Sequence, residues 1–325
     1  MGLYRAARQH ARVEVVAACE EDEATAASLR SADDVSLTHA KYIDIYENVA
    51  IDAIAVGDYF GRRGEVVIDA LRRGKHVIGD KPICTRPSEI AQIASLAAEK
   101  KRSLGCLLDL RDHGAYITMR RLIRDGAIGQ VRTVNFTAQH PLNLGKRPAW
   151  YFEPGKHGGT INDIGIHAID LIPWLTGRTI VQCTAARAWN ARLPQFPDFQ
   201  DAAQMMLKLD NGGGVLGDVS YLTPDGIAYQ APQYWRVTCH GDNGVIETGY
   251  NAKFVELAQR DDKTIRQIPV ESGDPTGCLD AFLDEIEGKR SRTDGLTSHD
   301  VLDATRRALQ IQQAADQGRT NTPLV

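Results

Sequence analysis

Residues 72–89 read RRGKHVIGDKPICTRPSE. The apolar run His76 to Gly79 has the length of a buried strand, and Pro87 suits the first turn of a helix that runs on to about Lys101. A strand followed at once by a helix is half of a parallel βαβ unit. In an open parallel sheet, ligands bind outside the carboxyl ends of the strands. Asp80-Lys81-Pro82 falls on that edge, which directs Lys81 into a cleft. With no companion motif, the same lysine would read as a solvated loop residue.

The pattern repeats on either side. VEVVAA (Val13 to Ala18), DAIAV (Asp52 to Val56) and SLGCLL (Ser103 to Leu108) read as further strands, separated by helical runs over Leu3 to His10, Glu23 to Ser31 and Gly61 to Arg73. Residues 1–107 therefore make an α/β unit, a doubly wound parallel sheet with helices on both faces. Glu20, just past VEVVAA, stands where a dinucleotide-binding fold places an acid against the ribose hydroxyls; an exposed loop acid is the plainer alternative. Such a fold opens with a central strand and a G-x-G-x-x-G turn. LYRAARQHA looks like the helix after that turn, with Gly2 at the last glycine and Met1 inside the turn. The expectation is a numbered chain shorter than the natural one, its first strand missing.

A second stretch, GKHGGTINDIGIHAIDLIPWL from Gly155 to Leu175, supplies the companion motif. Thr160 is a good N-cap for the helical run that follows. At helical spacing Ile164, Ala168, Leu171 and Leu175 form an apolar stripe, and Asp163, His167, Asp170 and Trp174 form a second stripe beside it. A carboxylate and an imidazole one turn apart thus lie at the edge of a core, where clefts form. Two structural readings stand next to this one: Thr160 with Asp163 fits a capping box, and Asp170 can orient a core histidine.

The rest of the chain, residues 108–325, carries a helix over His113 to Arg124 and then mostly β runs: VRTVNFTAQ, IVQCTAARAW, AAQMMLKL, GVLGDVSYL, WRVTCHG and VIETG. Turns at Asp210-Asn211-Gly212 and Asp242-Asn243-Gly244 predict an open, mostly antiparallel sheet in an α+β unit, closed by helices over Thr276 to Gly288 and Ser298 to Gln317. The long loop QHPLNLGKRPAWYFEPGKHGG is dense in aromatic and basic groups and is expected to line a pocket. Trp150, Tyr151 and Phe152 suit stacking on a sugar face, and His140, Lys156 and His157 suit hydroxyls or a carboxylate. Arg111, just past Leu108, is a weaker pocket candidate.

With 325 residues, 43% hydrophobic content and a formal charge of −4, the chain offers no broad basic surface for nucleic acid or an anionic membrane, and no run long enough to span a bilayer. The six cysteines lack Cys-x-x-Cys spacing and read as reduced thiols, which makes the cytoplasm the default location.

The order of a strand-end D-K-P followed much later by G-G-x-x-x-D-x-x-x-H resembles the glucose-fructose oxidoreductase and inositol dehydrogenase family, Gfo/Idh/MocA. The likeness extends to RRLIRDGAIGQVRTVNF (Arg120 to Phe136) and the WRVTCHGDNGVIET hairpin. It implies a Rossmann-like first domain that binds NAD, with NADP possible, through Gly2, Glu20, Asp80, Lys81 and Pro82, and a cis peptide before Pro82. It implies Lys81, Asp163 and His167 as catalytic residues acting on a sugar or cyclitol substrate, around which the loop and strand-end candidates Arg111, His140, Trp150, Lys156 and His157 are expected with Asp163. One sheet face would be free for homo-oligomer contact. Asp80 stands where the family has Glu. The expected activity is a nicotinamide-dependent dehydrogenase acting on a secondary alcohol, with no metal. Two rivals remain at this point: a metal-dependent lyase or hydrolase using His140, His157, Asp163 and His167, and a non-catalytic ligand-binding protein of the same fold.

Overall fold

The computed structural model describes residues 2–31, 35–289 and 295–325. Its first part comprises α1 (Gly2–Gln9), α2 (Glu23–Ser31), α3 (Tyr42–Asn48), β1 (Ala53–Val56), α4 (Phe60–Arg72), β2 (His76–Gly79), α5 (Pro87–Lys100) and β3 (Leu104–Cys106). The strands pair in parallel in the order β1-β2-β3, with Val56 opposite Gly79 and Gly79 opposite Cys106. Pro87 does open α5. Its first turn is closed by Glu89, whose Oε2 accepts from the Arg86 amide at 3.1 Å.

VEVVAA is not a strand. Among the described residues its end makes only a single parallel bridge, Cys19 to His39, and the Ala18 amide donates to the Thr38 hydroxyl rather than to a neighbouring backbone. An apolar run becomes a strand only where a partner offers a ladder, and none lies alongside residues 13–17. Gly2 begins α1 with open space around its α-carbon, while Met1 lies outside the described residues.

The second part comprises α6 (Gly114–Arg124), β4 (Val131–Pro141), a π-helical turn (Ile161–Gly165) running into α7 (Ile166–Thr176), β5 (Ile180–Trp189), β6 (Ala202–Leu209) and β7 (Gly214–Thr223). There follow β8 (Arg236–Gly241), β9 (Gly244–Gly249), β10 (Phe254–Gln259), β11 (Arg266–Pro269), α8 (Gly277–Ile286), α9 (Ser298–Asp316) and β12 (Thr322–Pro323). The sheet order is β11-β10-β9-β8-β4-β7-β6-β5-β12, antiparallel except for the central β4–β7 pair. Alternation along β6 buries Ala203, Met205, Leu207 and Leu209 against the helices and turns Gln204, Met206 and Lys208 outward. Met206 faces Leu216 of β7 on that outer side, and both are about half exposed at 48% and 52%.

The two parts share contacts that fix the cleft between them. α8 packs on the parallel sheet, where Leu279 and Phe282 cluster with Ile78, Leu3 and Ala6. The Ser298 hydroxyl accepts from the Leu104 amide at 2.7 Å. At the start of α4 the Gly61 amide donates to Lys156 O at 2.8 Å, and a Cβ at Gly61 would lie 2.3 Å from Gly155 O. Glycine is needed there because two backbones touch.

Candidate active site

The carboxyl ends of β1, β2 and β3 open into a cavity of about 420 Å³ lined by Gly57, Asp80, Lys81 and Leu107 from the parallel sheet. The opposite wall comes from Asp163 and His167 on the central helix, His140 at the end of β4, Arg147 and Trp150 on the long loop, and Tyr221, Tyr234 and Trp235 from the antiparallel sheet. The Lys81–Pro82 peptide is cis. Arg63, almost wholly buried, donates to Asp58 O, Asp80 O and Pro82 O at 2.8–3.2 Å and so holds the D-K-P loop from beneath.

Lys81 and Asp163 meet at the centre. Lys81 Nζ donates to Asp163 O at 2.7 Å and to the carboxylate Oδ1. Asp163 Oδ2 accepts from the hydroxyls of Tyr151 and Tyr221 and, at 3.3 Å, from His157 Nε2. Burial alone would raise the Asp163 carboxyl, but Lys81 and the His157 hydrogen bond hold it well below the usual range. It is a permanent carboxylate. The capping reading of Asp163 fails, because the turn before α7 is π-helical and the Thr160 hydroxyl donates to Gln200 O instead of capping. A π turn inserts a residue and re-aims the side chains around it.

His167 faces the same cavity, edge-on to Trp235 at 5.2 Å between centroids. Its Nδ1 is enclosed, without a hydrogen-bond partner among the described residues, and lies 4.0 Å from Asp109 Oδ1. Burial first, then Lys81 and His140, depress its pKa well below the ordinary value, so the ring is neutral. His140 is held similarly: burial, then Lys81 and Arg147, lower it to about 3.

Other expected residues fall elsewhere. Arg111 is not in the pocket; it is 7% exposed and makes a two-pronged pair with Asp170, at 2.8 Å through Nε, with Asp300 at 3.3 Å on its other side. Asp170 therefore orients Arg111, not His167. Lys156 points outward to Glu153 and over the Tyr59 ring. His157 sits behind Asp163 as a buttress. Phe152 stacks on Phe196 at 4.3 Å, away from the lining, while Trp150 and Tyr151 both face the cavity, Tyr151 with its hydroxyl on Asp163. Glu20 turns back to accept from the Asp22 amide at 2.9 Å. Pro82 is buried under Arg63, outside the lining. Sequence reading missed Arg63, Arg147 and Tyr221; Tyr221 occupies an inward position of β7 by alternation, and only its placement beside Asp163 reveals its role. Among the described residues no group of three or more His, Cys, Asp or Glu side chains is placed to hold a metal ion.

A parallel-sheet edge thus faces a buried Lys-Asp pair and a neutral histidine across a cleft closed by an open sheet, the place where open α/β folds bind small ligands. Residues 3–106 match the model of an oxidoreductase family with an NAD-binding Rossmann fold, and residues 116–247 match the GFO/IDH/MocA C-terminal domain. The chain belongs to the Gfo/Idh/MocA oxidoreductase family. Inositol 2-dehydrogenase 2 of Saccharopolyspora erythraea is 27% identical over 216 residues, which cover 66% of this chain and 60% of that protein. A solved structure from Thermotoga maritima matches with a TM-score of 0.85 at 24% identity, covering 98% of this chain and 96% of that one. An inositol dehydrogenase homolog from Azotobacter vinelandii, complexed with NAD+, matches at 0.81 and 16% identity, covering 98% and 92%.

The histidines give a stability prediction. Folded His140 refuses a proton that the unfolded chain takes up below its ordinary pKa, so stability is complete at high pH and is lost as pH falls below about 6.5. Between pH 7 and pH 5 this one group accounts for roughly 2 kcal/mol. His140→Asn should flatten the pH dependence of urea unfolding by about that amount; an unchanged slope would mean that His140 is protonated in the fold.

Proposed function

We propose that the chain is an NAD-dependent dehydrogenase acting on a secondary alcohol of a sugar, sugar derivative or cyclitol. The observation that carries the reading is the meeting of Lys81, Asp163 and a neutral His167 in one cavity at the carboxyl edge of the parallel sheet. We assign residues 1–107 to cofactor binding and 108–325 to substrate binding, with α8 crossing back to cover the first sheet. The residues present fit the cofactor: Gly57, Asp80 and Leu107 bring the ends of the parallel strands to the cavity. NAD, when bound, supplies the acceptor for the hydrogen that leaves the substrate carbon with its electron pair.

His167 takes the hydroxyl proton at Nε2, because Nδ1 is enclosed, with the Asp109 carboxylate 4.0 Å away to favour the charge the ring gains. Lys81 holds its ammonium where negative charge develops on the substrate oxygen. Asp163 keeps that ammonium charged and aimed. Tyr151, Tyr221 and His157 keep Asp163 in place. A second copy of the chain on the open sheet face is part of the same reading, supported by the exposed Met206–Leu216 pair.

His167→Gln should lower kcat by about two to four powers of ten, read as NADH formation across a sugar and cyclitol panel, with unfolding unaltered. Asp163→Asn should lower it comparably, since an amide cannot balance the Lys81 charge. Undiminished turnover in either variant removes that residue from the mechanism. A Glu20 carboxylate at the ribose would repel a 2′-phosphate, so titration at fixed salt should give tighter binding of NAD than of NADP; equal affinities would count against placing Glu20 there. Sedimentation velocity should give an oligomer that Met206→Lys with Leu216→Lys dissociates; a monomeric wild type rejects the sheet contact.

A further inference from the structure

The charged groups around the cavity can be accounted for one at a time. The guanidinium of Arg63 is committed to three backbone carbonyls. Lys81 and Asp163 are committed to each other. Asp80 accepts from the Lys81 amide at 2.9 Å and sits 3.8 Å from Arg63, and Asp109 stands beside His167. Arg147 is left. Its Nε donates to Leu142 O at 3.0 Å, which fixes the head group, and its Cζ lies 4.4 Å above the Tyr151 ring and 5.8 Å from that of Tyr221. Neither Nη has a hydrogen-bond partner among the described residues, although the head group lines the cavity.

We propose that Arg147 and His140 form a carboxylate subsite, and that the substrate is a sugar acid, a polyol carrying one carboxylate. This rests on the dehydrogenase reading of the same cavity. A guanidinium stacked on aromatic rings keeps its in-plane N–H fork free, and that fork matches a planar carboxylate. The rings beneath it are the ones whose hydroxyls hold Asp163, so the subsite and the Lys81 ammonium share one wall of the cavity. His140 is set edge-on among Tyr234, Trp235 and Tyr229 at 4.9–5.9 Å, with Nε2 enclosed and unpartnered. It is a neutral ring lining the same cavity, beside the carboxylate that the Arg147 fork would hold. One unpaired cation balances one negative charge. A phosphate dianion would lack a second free cation and would meet Asp80 and Asp109 at the same cavity.

The test uses purified protein with NAD bound. Calorimetric titration compares D-glucuronate with D-glucose, D-galacturonate with D-galactose, and D-gluconate with D-sorbitol, alongside D-glucose 6-phosphate, while NADH formation is recorded for each. At least one acid should bind about tenfold or more tightly than its neutral partner. Arg147→Gln should collapse that ratio toward one, and Arg147→Lys, which keeps the charge without the fork, should retain part of it. The proposal is overturned by a ratio near one in every wild-type pair, by a ratio that survives Arg147→Gln, or by glucose 6-phosphate outbinding every acid. NADH formed from neutral sugars alone would remove this proposal and leave the dehydrogenase reading standing. Acid-selective binding with no NADH from any compound would do the reverse.

Discussion

The ion pair between Lys81 and Asp163 is the interaction on which the arrangement depends. Lys81 stands at the end of a strand of the parallel sheet, and Asp163 in the turn that leads into the helix beneath the antiparallel one. Removing two charges from water costs several kcal/mol per ion, and their attraction compensates only when the remaining lone pairs are also satisfied. The chain meets that condition with two tyrosine hydroxyls and an imidazole on the far carboxylate oxygen. Tyr151 and His157 come from the long loop and Tyr221 from a strand of the second sheet. The same contacts that stabilise the carboxylate therefore fix the two sheets around one point.

The electrostatic result is a concentrated Lys81–Asp163 charge pair with neutral histidine and tyrosine rings packed around it. His140 and His167 are kept unprotonated by burial and by the Lys81 ammonium, and the two tyrosines are kept protonated by burial and by Asp163. Burial sets the protonation of each neutral ring, and the pair at the centre pushes it further the same way. A substrate that brings its own charge meets one group not already engaged in this balance.

Much of this was legible in the residues, and the reasons are specific. Strands β5 and β6 have the bounds that composition suggests, because alternating side chains declare which face is buried. The D-K-P edge and the Asp163–His167 spacing were legible because a strand end and a helix face each impose a local rule. Residues 13–18 misled, because β-type composition describes what a strand prefers and not whether a partner exists. The π turn was invisible, since INDIG has no sequence signal that separates it from an α-helical start, and it changes what Thr160 and Asp163 contact. Arg111 and Arg147 look alike on the page. One is neutralised by Asp170, 59 residues away, and the other is stacked on tyrosines. Only the tertiary fold distinguishes them.

The return of α8 to the parallel sheet has a consequence for the order of events during synthesis. Ile78 and the face formed with Leu3 and Ala6 are covered by Leu279 and Phe282, residues that leave the ribosome some two hundred positions later. Each such apolar side chain contributes about 1.5–3 kcal/mol when buried, against a net stability of about 5–15 kcal/mol for a whole domain. The parallel sheet therefore waits, with one flank uncovered, through the translation of β4 to β11. A nascent chain in that interval presents an apolar surface for chaperones, and a chain cut short before Gly277 leaves that flank uncovered.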